Sequence, residues 1–211
     1  MPPDDLAWTA ALQRLREGNR RFVTGDSSEL RPRWHRAAAE SQRPFAAVLG
    51  CSDSRAPAEF VFDVGLGDLF VIRVAGNIVA PSQVGSIEFA VAAFDIPLVV
   101  VIGHTRCGAI AAAARELETG QRVDSSNVLS ITSRIRPSIE PVLRLEGLRD
   151  PLRAAMRANV LASVAQLCHG SRAIEQLVQA GRLNVIGAEY ELETGRVHFL
   201  ADEERGLPQS R

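Results

Sequence analysis

Two short clusters hold the residue types that do chemistry, Cys51-Ser52-Asp53-Ser54-Arg55 and Gly103-His104-Thr105-Arg106-Cys107-Gly108. Two thiolates and an imidazole are ligands that Zn2+ favours, and three protein ligands leave a fourth position for water, substrate or a nearby carboxylate. Asp53 is such a carboxylate. Asp53 and Arg55 alternate with Cys51 by two residues, so an extended segment projects all three to one side, where Arg55 can hold Asp53 ionised and oriented. Taken singly, HxxC and CxDxR are weak signals, and either cysteine reads equally well as a small buried hydrophobe or a helix-start thiol. The specific signal is their joint placement, because each cluster follows an apolar run that reads as a strand. Residue chemistry alone supports a zinc hydrolase or hydratase with a small apolar pocket.

The elements that must position these clusters are legible as periodicities. Asp4 or Asp5 can cap an amphipathic helix carrying Leu6, Trp8, Leu12 and Leu15, with Gly18 near its end. Residues 45–50 read as a buried strand, Pro57 opens a helical turn, 69–74 is a second strand and 83–94 is helical. Residues 98–102 form a β-branched strand, and 107–119 an Ala-rich helix stopped by Gly120. Segments 130–144 and 151–169 are helical. Residues 183–191 and 197–200 make a terminal hairpin turning at Glu193-Thr194-Gly195. The alternation predicts an α/β fold, a parallel-core β-sheet flanked by helices, with a C-terminal helical segment and the hairpin. Both clusters then sit at carboxyl ends of strands, where open α/β sheets bind ligands.

The chain has 211 residues, 46% hydrophobic and 23% charged, which predicts one globular domain over 1–211 with a helical arm at 1–24 and a loose tail at 202–211. A net charge of −1 gives no electrostatic case for nucleic acid or an anionic membrane as partner. Three cysteines, two of them claimed by a metal motif, argue against a disulfide framework and for a reducing compartment. The acidic start of the sequence does not read as a signal peptide and no run is long enough to span a membrane, so a cytoplasmic protein is expected. His35, His169 and His198 have no partner at ligand spacing, and Cys168-His169 face different directions on a helix. The basic stretch 14–21 is interleaved with Glu17 and apolar residues, which makes it a solvated face.

The two clusters resemble the signature motifs of the β-class carbonic anhydrases. The stretches Gly67-Asp68-Leu69-Phe70-Val71-Ile72-Arg73-Val74-Ala75-Gly76-Asn77 and Gly85-Ser86-Ile87-Glu88-Phe89-Ala90-Val91 resemble that family too, so the likeness is close over residues 40–115. It implies zinc held by Cys51, His104 and Cys107, with Asp53 available as a fourth ligand, and reversible hydration of carbon dioxide to bicarbonate and a proton. Asp53 would orient the attacking water and Arg55 would fix Asp53. The resemblance further implies a substrate pocket from Gln42, Phe70, Phe89 and the Gly108 backbone N–H, with Phe89 standing where many members of one branch carry tyrosine. Some relatives close the site by moving the aspartate onto the metal; Gln42, and Val48 in place of tryptophan, resemble the branch that stays open. A homodimer or homotetramer is implied, with an N-terminal helix carrying Trp8 and Leu12 reaching across the partner. Two rivals share the motifs: hydrolysis of carbon disulfide or carbonyl sulfide, and a non-catalytic zinc or redox-sensing module.

Overall fold

The computed structural model describes residues 5–26 and 41–200. The expected tail at 202–211 and His35 lie outside the described residues. Helix α1 (Asp5–Thr24) leads into strand β1 (Ala46–Gly50), the single turn α2 (Ala58–Val61), β2 (Leu69–Arg73) and a 3-10 turn at Ala75–Asn77. Then come α3 (Pro81–Phe94), β3 (Leu98–His104), α4 (Gly108–Thr119), α5 (Ser126–Leu143) and α6 (Pro151–Gly170). Helix α7 (Arg172–Gln179) and the strands β4 (Asn184–Tyr190) and β5 (Val197–Phe199) complete the order.

The five strands form one sheet in the order β2-β1-β3-β4-β5, parallel except for the antiparallel β4-β5 hairpin. Strand β1 is buried along its whole length, as is β3, because helices cover both faces. Alternate residues divide the core. Ala47, Leu49, Val99 and Val101 pack with α3 to α6 on one face, while Ala46, Val48, Leu98 and Val100 pack with α1 and α2 on the other. From β1 the chain moves outward to β2 and then returns across β1 to β3, so the topological switch point lies between β1 and β3. Gly50 pairs with Ile102, which brings the residues that follow β1 beside Gly103 and His104.

Helix α1 departs from the sequence reading at its end. It runs through Gly18 to Thr24 instead of ending there. Glycine at 18 serves close approach, since a Cβ would stand 1.7 Å from the Phe62 carbonyl oxygen. Leu15 is fully buried, and Trp8, Leu12 and Phe22 lie partly buried against the core with Val48, Phe62, Val100 and Tyr190. Buried Asn19 fastens the helix, donating from Nδ2 to the carbonyls of Val61 and Gly195 and accepting the Val197 N–H at Oδ1.

Helix α7 was not expected. It is only eight residues long, although Ile174, Leu177 and Val178 recur at helical spacing and pack on the core, and Ser171 caps it by accepting the Ile174 N–H. Pro57 caps α2 from outside its first turn. Among the described residues no helix is long and apolar enough to cross a membrane.

Candidate metal centre

Each ligand candidate sits where an element ends. Cys51 follows β1, His104 is the last residue of β3, and Cys107 stands at the N-cap of α4. All three are buried, and one ligand atom from each lies within 4.8 Å of the others. The two sulfurs are 3.9 Å apart. Two sulfurs on a tetrahedral zinc, each about 2.3 Å from the metal, stand about 3.8 Å apart, so the pair is spaced for one ion.

The imidazole is committed in the same way. Nδ1 of His104 lies 2.9 Å from the Thr105 carbonyl, which can only accept, so Nδ1 carries the proton and Nε2 presents its lone pair. Nε2 is buried and has no hydrogen-bond partner, an arrangement that costs free energy unless a cation takes it. Burial opposes a charged His104, but the adjacent Cys51 sulfur outweighs it and raises its pKa. A hydrogen bond from Cys107 lowers the Cys51 pKa to about 4 against the opposing effect of burial, while the same bond and burial push Cys107 up. A hydrogen bond between the sulfurs needs one proton, and a dication in its place would satisfy both thiolates and Nε2. The residues fit zinc.

Beside this group Arg55 grips Asp53 as a fork, Nε to Oδ1 at 2.9 Å and Nη2 to Oδ2 at 2.8 Å, and the Arg55 backbone N–H also reaches Oδ1. Arg55's hydrogen bonds hold the Asp53 carboxyl well below the usual carboxylate range. Oδ2 is 3.9 Å from His104 Nε2, so the carboxylate borders the centre while remaining bound to Arg55.

The supporting contacts were not legible beforehand. Arg73, ending β2, donates from Nε to the Cys51 carbonyl and from Nη2 to that of Asp53, clamping the backbone between them. The Gly76 N–H donates to Cys51 Sγ at 3.3 Å. On the other side Thr105 donates to Glu193 Oε2 and accepts the Leu192 N–H, while its own N–H reaches the Tyr190 carbonyl. Arg106, at φ 56°, pairs with Glu193 Oε1. Only the strand-end position of Arg73 hinted at its role; the partners of Thr105 lie far along the chain.

The expected pocket residues fall in three places. Gly108 starts α4 directly after Cys107 and, with Ala111, Ala112, Arg115 and Arg122, lines a cleft of about 400 Å3 that none of the three ligand candidates lines. Gln42 is exposed ahead of β1, near Gly67. Phe70 and Phe89 pack against each other and against Phe94, with ring centroids 6.0 to 6.2 Å apart. Phe70 pairs with Ala47, four residues before Cys51, which puts it about 13 Å back along the strand direction. Phe89 is 59% exposed. His169 is near Glu175, while Cys168 packs against the core.

The carbonic anhydrase family model matches residues 46–197. A carbonic anhydrase of Mycolicibacterium smegmatis is 43% identical over 194 residues, covering 90% of this chain and 92% of its own length. Carbonic anhydrase 2 of Mycobacterium tuberculosis is 40% identical over 197 residues, 89% and 90% of the two lengths. Among solved structures, the Coccomyxa β-carbonic anhydrase in complex with acetazolamide superposes with a TM-score of 0.70 at 28% identity, over 90% of this chain and 86% of that one. With the sheet, the switch-point thiols and the histidine in agreement, the chain belongs to the β-class carbonic anhydrase family.

Proposed function

We propose that this chain is a zinc-dependent enzyme that reversibly hydrates carbon dioxide to bicarbonate and a proton. The observation that carries the reading is the buried Cys51–His104–Cys107 group with its unpartnered Nε2, bordered by a carboxylate already fixed by arginine. Zinc held there supplies Lewis acidity, which makes a water molecule nucleophilic at moderate pH. Asp53 keeps a charged acceptor at the edge of the centre and orients the attacking water through its hydrogen. Arg55 occupies both carboxylate oxygens in the fork, so Asp53 remains ionised and in one orientation. Burial of all three ligands excludes bulk water, and the Gly108 N–H at the start of α4 offers a donor to an anionic product.

The same reading takes Gln42, Phe70 and Phe89 as substrate-pocket residues and the chain as a homodimer or homotetramer. Strand β2 is an edge of the sheet, and the Phe70–Phe89–Phe94 cluster beside it leaves Phe89 largely exposed, an apolar surface that a second copy would cover. Light scattering at micromolar concentration checks this, and a fully active monomer would refute it. Cys51, Cys107 and Cys168 are all free, which suits a cytoplasmic, reducing setting.

Stopped-flow hydration of CO2 by protein of known zinc content is the deciding experiment. Turnover should scale with zinc occupancy, with COS and CS2 turned over far more slowly. A zinc-replete protein that leaves CO2 at its uncatalysed rate while hydrolysing COS or CS2 would replace the proposed substrate.

A further inference from the structure

Helix α6 carries two buried polar residues four positions apart, Asn159 and Ser163, each 3% exposed. Such residues on the core face of a helix require a partner. Both find it in the 3-10 turn after β2: Asn159 Nδ2 donates to the Gly76 carbonyl at 2.9 Å, and Ser163 Oγ donates to the Asn77 carbonyl at 3.1 Å. The turn is unusual in having two successive left-handed residues, Gly76 at φ 69° and Asn77 at φ 43°. That conformation costs a non-glycine residue free energy and persists only when its surroundings hold it. The packing around it is close, since a Cβ at Gly76 would stand 2.7 Å from Ile135 Cδ1 and 3.1 Å from Ala109 Cβ. The product of this geometry is one N–H, that of Gly76, aimed at Cys51 Sγ at 3.3 Å.

We infer that Asn159 and Ser163 are positioning residues which hold the Gly76 N–H on the Cys51 sulfur and thereby set how strongly that thiolate donates to the metal. The inference rests on the proposed zinc reading. A hydrogen bond to a thiolate draws electron density from its lone pairs, so the sulfur gives less charge to the ion and the ion keeps more of its Lewis acidity. The two side chains act through the backbone and touch neither ligand nor substrate. They lie 83 and 86 residues from the carbonyls they bind, which is why neither helical periodicity nor the cysteine motifs point to them.

The test uses the full chain loaded with zinc or with cobalt(II). Asn159→Ala removes the amide donor, and Ser163→Ala removes the hydroxyl. In the cobalt protein the sulfur-to-metal charge-transfer band should move to lower energy, more in Asn159→Ala than in Ser163→Ala, because the freed lone pairs of the Cys51 sulfur rise. Thr132→Val removes a buried hydrogen bond to Glu116 on a neighbouring helix and serves as the control. It should lower thermal stability and leave the band in place. Folded Asn159→Ala and Ser163→Ala proteins with the wild-type band would overturn the inference, as would an equal band shift in Thr132→Val. If Asn159→Ala does not fold, Ser163→Ala against the control decides. A wild-type chain that takes up no stoichiometric metal would instead overturn the zinc reading, and this inference with it.

Discussion

The two loops that supply the ligands are built differently. Residues 104–107 are fixed from within: His104, Thr105 and Cys107 are buried, and the Thr105 backbone and hydroxyl engage β4 and the hairpin turn at three points. Of residues 51–55 only Cys51 is buried; Asp53 borders the centre, Arg55 is exposed, and the two are held by each other and by the Arg73 clamp on the backbone. One loop is part of the core and locks the imidazole; the other keeps a thiol in place and holds a carboxylate at the edge of the centre through an exposed arginine. Rigidity and reactivity are thus divided between two strand ends.

Removing a ligand from either loop should erase the distinction. Cys51→Ser, His104→Ala and Cys107→Ser should each lose the metal, and with it the several kcal/mol of Lewis acidity that correspond to about a thousandfold in rate. Metal analysis alongside CO2 hydration checks this, and near-stoichiometric zinc in a Cys51→Ser, Cys107→Ser protein would dissolve the assignment.

Acid should act on the ligands in a definite direction. The hydrogen bond from Cys107 holds the Cys51 pKa low, whereas Cys107 is pushed up and must give up its proton to the ion. Lower pH therefore favours the metal-free form. Apparent zinc affinity should fall about tenfold per pH unit for each proton displaced, as chelator competition from pH 8 to 5 would report. A flat profile would mean that both thiolates are already free of protons.

Arg55→Ala probes the outward side of the first loop. Hydration should drop about 10- to 100-fold with zinc retained. Its pH signature separates it from a ligand effect. Asp53, held below its usual range, is ionised throughout the neutral region, and without Arg55 it would return toward about 3.9 and still be ionised there. The loss should accordingly be uniform from pH 6 to 9. Wild-type rates over that range would reduce the pair to a structural bridge.

The smallest effect is expected at the anchor of the second loop. Thr105→Val leaves the Leu192 N–H without its acceptor and Glu193 with Arg106 in place of two partners, costing about 1–3 kcal/mol of stability by denaturant titration while the hydration rate at saturating zinc changes little. A rate loss as large as that of Arg55→Ala would show that this loop takes part in turnover as well as in anchoring.

The sheet and the grouping of Cys51, His104 and Cys107 were legible because they rest on local signals. The β-branched run at 98–102 and the apolar run at 45–50 read as buried strands, and a thiol or imidazole at the end of each marks the switch point. What escaped is what depends on distant partners. Gly18 reads as a helix stop but accommodates the Phe62 carbonyl, which lies 44 residues further along the chain. Arg73, Thr105 and Glu193 carry no spacing signal, since each acts on backbone or side chains 20 or more residues away.

The hydrogen bond from Thr105 to Glu193 spans 88 residues of sequence. On a ribosome adding about 5–20 residues per second, roughly 4 to 18 s separate the emergence of these two partners. During that interval the Cys51, His104 and Cys107 side chains are all outside while the hairpin that braces their loop has not yet been made. The order of synthesis exposes all three side chains before the hairpin that braces their loop can form.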